Sequence, residues 1–262
     1  MFPAAFRRSS GATLWVILFC CCEAACHRGP EPPSTLSVAA AADLRFAMDE
    51  LAADFHRTHP AVTLRPSYGS SGNFYAQIRN GAPFDVFLSA DVVYPRRLAQ
   101  EGVAKPESIF LYGLGRIVVW VPAGSAVDPA AALGSPRIRH IAIANPQHAP
   151  YGRGAEAALH TLGLYDAAKP KLVMGEDVAQ TFSFVESGAA DAGIVALSLA
   201  LAPQAHGKGR YWEIPLDDYP RMEQGGMILK DSPGAQAFRA YLTSAGGRAI
   251  LKKYGFYLPE GY

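Results

Sequence analysis

The sequence predicts an α/β protein of two lobes, each a mostly parallel sheet flanked by helices, hinged by two crossover strands around a cleft. Strand-like and helix-like periodicities alternate between Leu36 and Gly102, the order of a parallel sheet with covering helices. The alternation restarts after the β-branched run at residues 116–121 and continues to Ala196. Glycine and proline are plentiful but fall in short punctuating positions, with no long low-complexity tract and no repeat at solenoid spacing.

Residues 1–25 read as a signal peptide. Arg7 and Arg8 form its positive start, and residues 12–22 are an apolar run too short to span a bilayer comfortably. All four cysteines, Cys20, Cys21, Cys22 and Cys26, lie in this region, so the body of the chain has neither a disulfide framework nor a thiolate site. Glu23-Ala24-Ala25-Cys26 resembles a bacterial lipoprotein cleavage motif that makes Cys26 the lipidated first residue, although Glu23 stands where an aliphatic residue is usual. Ordinary cleavage nearby is the other reading, and both export the mature protein. Residues 26–35 form a polar, Pro-rich tether.

The first lobe is expected to begin with residues 36–115. Residues 36–40 are a short β-type run. From Leu44 the apolar positions Leu44, Ala47, Met48, Leu51 and Phe55 recur at helical spacing, with Asp43 as N-cap. Residues 62–66 read as the next strand. The turn Gly69-Ser70-Ser71-Gly72 runs into a helix from about Asn73, closed by Asn80-Gly81. A Pro-marked turn precedes the apolar strand 86–88, and a helix over 94–101 stops at Gly102. Gly113-Leu114-Gly115 reads as a turn before the crossover strand 116–121. In the second lobe, residues 116–225, strands are expected at 140–144, 171–174 and 192–196 and helices at 152–162 and 178–187. Residues 213–215 and 227–229 are further strands, and residues 226–262 return to the first lobe with helices at 234–244 and 248–254.

With 262 residues and a formal net charge of +1, the chain buries a real core and carries no electrostatic footprint for nucleic acid or an acidic membrane surface. The chemistry is expected at four strand-to-helix turns: Ala42-Asp43, Ser70-Ser71, Pro150-Tyr151 and Asp177-Val178. In open α/β sheets ligands sit at the carboxyl ends of strands. Each helix start there offers roughly half a positive charge and up to four free N–H groups. Any one such turn is ordinary helix capping; two in each lobe point to an anion held without Lys or Arg.

These residues carry a resemblance. G-S-S-G-N-F-Y-A-Q-I-R-N-G-A-P-F-D-V-F-L-S-A-D, G-R-I-V-V-W, A-N-P-Q-H-A-P-Y-G, G-E-D-V-A-Q and the closing Y-G-F are similar to the ModA-type periplasmic molybdate-binding proteins of ABC importers, in order from about Leu36 to Phe256. The resemblance implies a type II periplasmic binding protein fold and a monomeric, non-enzymatic receptor. That receptor captures molybdate or tungstate between its lobes and delivers the oxyanion to an ABC permease, with no cofactor and no protein-coordinated cation. It implies that Ser71 binds an oxyanion oxygen through its hydroxyl and N–H, with Ser70 beside it, and that Tyr151 and Val178 bind through their backbone N–H groups.

Asp43 departs from the family, which usually carries Ser or Asn at the first turn. A carboxylate about 4 Å from a dianion in a partly buried site is repelled by several kcal/mol. Three readings stay open. Asp43 caps its own helix while backbone N–H groups bind the anion, or it is protonated in the closed cleft, or the ligand is a protonated oxyanion or a cation that suits a carboxylate. Sulfate, phosphate and vanadate are the alternative ligands. A hydrolase of anionic esters is the alternative of another class, for which Ser71 has no sequence-obvious His partner.

Elsewhere, Asp85 and Asp91 are expected to cap turns and brace the first lobe. Arg116 and Arg153 are solvated or structural, or lend positive potential to the cleft. His56, His59, His140, His148, His160 and His206 lack metal-ligand spacing. Tyr112, Trp120, Tyr211 and Trp212 are read as core or hinge packing.

Overall fold

The structure, a computed structural model, describes residues 33–257 together with Met1. The signal peptide and most of the tether therefore lie outside the described residues. β1 (Ser34–Ala41) passes through a 3-10 turn, Ala42–Leu44, into α1 (Arg45–Thr58). β2 (Val62–Gly69), α2 (Ser71–Arg79), β3 (Val86–Ser89), α3 (Val93–Gln100) and β4 (Ile109–Gly115) follow. A single residue, Arg116, separates β4 from β5 (Ile117–Pro122). Then come β6 (Ile141–Ala144), α4 (Pro150–Thr161), α5 (Tyr165–Ala168), β7 (Leu172–Gly175) and α6 (Val178–Glu186). β8 (Ala192–Ala196), α7 (Leu197–Ala200), β9 (Gly209–Glu213), β10 (Met222–Ile228), α8 (Pro233–Leu242) and α9 (Ala245–Lys253) complete the chain.

Two five-stranded sheets share one plan, in the orders β2-β1-β3-β10-β4 and β7-β6-β8-β5-β9. Three strands on one side of each sheet run parallel. The fourth is antiparallel to both its neighbours, and it is a strand that adjoins a crossing between the sheets: β10 in the first, β5 in the second. The strand beyond it runs with the first three, so one antiparallel strand makes each otherwise parallel sheet mixed. The shared plan puts the carboxyl ends of β1, β2, β6 and β7 at helix starts, which is where the four turns were expected.

Alternation along the strands sorts the core of the first lobe into two layers, as the period of two requires. Val38, Ala40, Val86 and Leu88 face the layer beneath α1, α8 and α9, while Ala39 and Phe87 face Phe74, Tyr94 and Leu98 of α2 and α3. Fully burying a side chain such as Phe87 contributes about 1.5–3 kcal/mol. In the second lobe Trp120 lies against Phe182 at 4.9 Å between ring centroids.

The structure corrects several expectations. Gly113-Leu114-Gly115 is not a turn but the end of β4. The last strand of the second sheet is residues 209–213, not 213–215. The expected lobe boundary at 225/226 falls inside β10, which pairs with β4 from Met222 onward. The strand β1 begins at Ser34, inside the expected tether. Asp43 is no N-cap: the 3-10 turn is entered from Ala41 and α1 from Leu44, and neither start has a side-chain cap.

Candidate functional site

All four turns line one cavity of about 10 Å³, with Ala41, Ala42 and Asp43 from the first, Gly69, Ser70 and Ser71 from the second, Ala149, Pro150 and Tyr151 from the third, and Asp177 and Val178 from the fourth. Ala90, after β3, closes the wall. The first N–H groups of each helix have no acceptor within the helix. Asp177 takes the N–H groups of Ala179 and Gln180, each at 2.9 Å, so the cap leaves the preceding N–H, that of Val178, unused by its carboxylate. At α4 the N-cap is Ala149 and Pro150 occupies the first turn, so no side chain competes for the N–H of Tyr151.

The two serines differ in what their hydroxyls are doing. Ser71 is 1% exposed, and its Oγ accepts the N–H of Ala90 at 2.9 Å. Its own proton remains to be donated. Ser70 caps α2 through the N–H of Asn73 and lies 2.9 Å from His148 Nδ1. His148 Nε2 lies 3.6 Å from Glu176 Oε1.

Asp43 is also 1% exposed. Its Oδ2 accepts from Tyr151 Oη at 2.8 Å and from Gln224 Nε2 at 2.5 Å, and Gln224 Nε2 lies 3.1 Å from Tyr151 Oη. Its backbone carbonyl accepts from Ser198 Oγ at 2.7 Å. Among the described residues Oδ1 is buried with no hydrogen-bond partner, as is Gln224 Oε1. Burial pushes the Asp43 carboxyl up from 3.8 to about 6, against the opposing pull of Gln224, Tyr151 and the backbone N–H groups of Asp43 and Leu44. Burial, and then the Asp43 charge, hold the Tyr151 phenol well above 10. Tyr112 is raised by the same two causes. Asp43 is thus met by side chains from α4 and β10 as well as by N–H groups of its own turn.

Around this centre the lobes are joined. Gly72 N–H donates to His148 O at 2.9 Å, and Asn73 Nδ2 donates to Glu176 Oε1 at 2.8 Å. Arg153 donates to Asp91 Oδ2 at 2.8 Å and to Tyr94 Oη at 2.9 Å. Asp91 therefore does more than brace its own lobe. Asp85 behaves as expected, accepting Ser37 N–H at 2.7 Å. Arg116 pairs with Glu213 at 3.1 Å, away from the cavity walls. Tyr112 and Trp120 are core residues, and Tyr211 is exposed. Among the described residues no group of three or more His, Cys, Asp or Glu is placed to hold a metal ion, and no helix is long and apolar enough to cross a membrane.

Sequence reasoning missed Gln224, Ser198, Asn73 and Glu176, and read His148 only as lacking metal-ligand spacing. For Gln224 one signal exists: the Gly225-Gly226 pair that follows it inside a strand, a mark of a close approach. A register shift does fall between Gln224 and Gly225.

The model of a family of bacterial extracellular solute-binding proteins matches residues 36–257. The molybdate-binding protein ModA of Azotobacter vinelandii is 40% identical over 227 residues, covering 84% of this chain and 89% of the relative. ModA of Rhodobacter capsulatus is 36% identical over 231 residues, covering 87% and 90%. Among solved structures, the Azotobacter vinelandii periplasmic molybdate-binding protein superposes with a TM-score of 0.80 at 37% identity, covering 86% of this chain and all of that one (100%). The sulfate-binding protein SubI of Mycobacterium tuberculosis, at 15% identity and a TM-score of 0.67 over 85% of this chain and 86% of its own, shares the fold.

Proposed function

The chain belongs to the bacterial extracellular solute-binding proteins, of the ModA type with a type II periplasmic binding protein fold, and on that premise we propose that it captures molybdate or tungstate between its lobes for an ABC permease. The observation that carries the reading is the convergence of four helix starts on one small cavity. Ser71 donates its hydroxyl and N–H, Tyr151 and Val178 their N–H groups, and Ser70 its N–H, its hydroxyl being engaged with His148. Asp43 completes the wall. Charge-assisted hydrogen bonds contribute about 1.5–3 kcal/mol each, so five or six reach the roughly −10 kcal/mol of sub-micromolar binding after association costs.

The protein works outside the cytoplasm as a monomeric receptor, without a cofactor and without catalysis. Residues 36–115 and the C-terminal return form one lobe and the segment between them the other. Either a lipid on Cys26 or simple export places it there, and the mass of the mature N-terminus separates the two. Ser70, His148 and Glu176 do line up as a nucleophile, a base and an orienting carboxylate would. Yet Ser70 is 4% exposed and its Oγ also caps α2 by accepting the N–H of Asn73, so its hydroxyl is held by the helix start rather than presented as a nucleophile.

Titration calorimetry of ligand-free protein with molybdate, tungstate, sulfate, phosphate and vanadate tests the reading. Molybdate and tungstate bind with sub-micromolar Kd, and sulfate and phosphate at least about 100-fold more weakly, a difference of about 3 kcal/mol. Tighter binding of sulfate, or no heat with either metal oxyanion, overturns it.

A further inference from the structure

A carboxylate is a poor neighbour for a dianion, and among the described residues no Lys or Arg lines the cavity beside this one. Both partners of Asp43 Oδ2, the Tyr151 hydroxyl and the Gln224 amide, are neutral. Oδ1 is buried without a partner, on a residue that lines the cavity. A bare carboxylate oxygen in that position adds negative charge where an oxyanion must sit, whereas a protonated one supplies the donor that Ser or Asn supplies by other means.

Resting on the oxyanion reading above, we propose that the cleft takes up one proton with each dianion it closes on, and that this proton sits on Asp43 Oδ1, hydrogen-bonded to an oxyanion oxygen. The balance is simple. A carboxylate, a dianion and one proton from solvent give a carboxylic acid bonded to the dianion, with no bond broken in the oxyanion. The proton belongs on Oδ1 because both donors on Oδ2 already fill its lone pairs. Burial alone raises the carboxyl toward neutrality, and an adjacent dianion raises it further.

The surrounding elements offer no competing charge at the carboxylate. Arg45 and Asp49 on α1 are exposed. From β2 comes Tyr68, whose phenol burial pushes up to about 12, and from β4 comes Tyr112, also neutral. On α4, Tyr151 is neutral and Arg153 is engaged by Asp91 and Tyr94. Glu223 of β10 pairs with Arg96 and Arg221. Asp177, before α6, is held by its own helix, and α7 brings the hydroxyl of Ser198 to the Asp43 carbonyl. His148 faces Ser70, its Nδ1 2.9 Å from the Ser70 hydroxyl.

Calorimetry with molybdate at pH 8, in two buffers of different ionisation enthalpy, counts the protons. Wild type takes up about one per molybdate, and its Kd weakens about tenfold per pH unit from pH 7 to 9. Asp43→Asn keeps a donor but cannot titrate, so it binds with no proton uptake and a pH-independent Kd. Binding by wild type with no proton uptake and a flat Kd overturns the proposal while leaving the oxyanion reading intact. So does unchanged uptake in Asp43→Asn, which moves the proton to another group such as His148. The wild-type count decides even if the variant fails to fold. No binding by wild type at any pH from 5 to 9 removes the oxyanion reading and this proposal with it.

Discussion

Ser71 separates the two capacities of a hydroxyl. Its oxygen is committed to the N–H of Ala90, and its proton is left for the cleft. Ser71→Ala removes that donor from the anion, a charge-assisted bond of about 1.5–3 kcal/mol, so the molybdate Kd rises roughly 10- to 150-fold. It also leaves the buried Ala90 N–H unpaired, lowering the stability of the ligand-free protein by about 1–3 kcal/mol. Calorimetry and urea denaturation read the two effects separately, and an unchanged Kd removes Ser71 from the site. Ser71 was legible in the sequence because a serine at a helix start after a strand has few chemical uses. Gln224 was not. Its partners Asp43 and Tyr151 are 181 and 73 residues away in the chain, and no local pattern encodes such a meeting.

At the scale of elements, the start of α2 shows how one glycine serves a motion rather than a turn. A Cβ on Gly72 would stand 2.5 Å from His148 O in the opposite lobe and 2.9 Å from Tyr94 Oη. The conflict with His148 exists only when the lobes meet. Gly72→Ala therefore weakens molybdate binding by tenfold or more. The ligand-free protein keeps its stability to within about 1 kcal/mol, since the helix preference of alanine over glycine offsets the shift that Tyr94 Oη, in the same lobe, must make. A parallel loss of stability and affinity would show that the glycine serves the fold of α2 instead. The same logic explains why β4 was misread. Gly113 and Gly115 look like turn residues, but both are sites of close approach. Gly113 lies under Phe256, and a Cβ on Gly115 would stand 2.6 Å from Tyr151 Oη and 2.8 Å from Gln224 Nε2. Strands with apolar periodicity, such as β3 and β8, were legible because burial on both faces leaves a continuous apolar run. Glycines kept for packing interrupt that signal.

For the whole molecule, binding and closure are one equilibrium, and contacts between lobes away from the anion set its position. Arg153 is such a contact: it reaches Asp91 and Tyr94 across the cleft, with side chains 39% and 26% exposed in the ion pair. A partly exposed pair contributes about 0.5–1 kcal/mol, and all of it belongs to the closed form. Arg153→Ala thus raises the molybdate Kd only about 2- to 5-fold, and the gap from wild type narrows as salt rises from 0.05 to 0.5 M, where screening shortens to a few ångströms. Small-angle scattering shows the same contraction at saturating molybdate in both proteins, because the closed form is still reached. If Arg153 instead met the anion directly, its loss would weaken binding 100-fold or more. Direct contact with a buried charge would also persist at high salt. The size of the effect and its salt dependence therefore decide whether closure or the anion is what Arg153 serves.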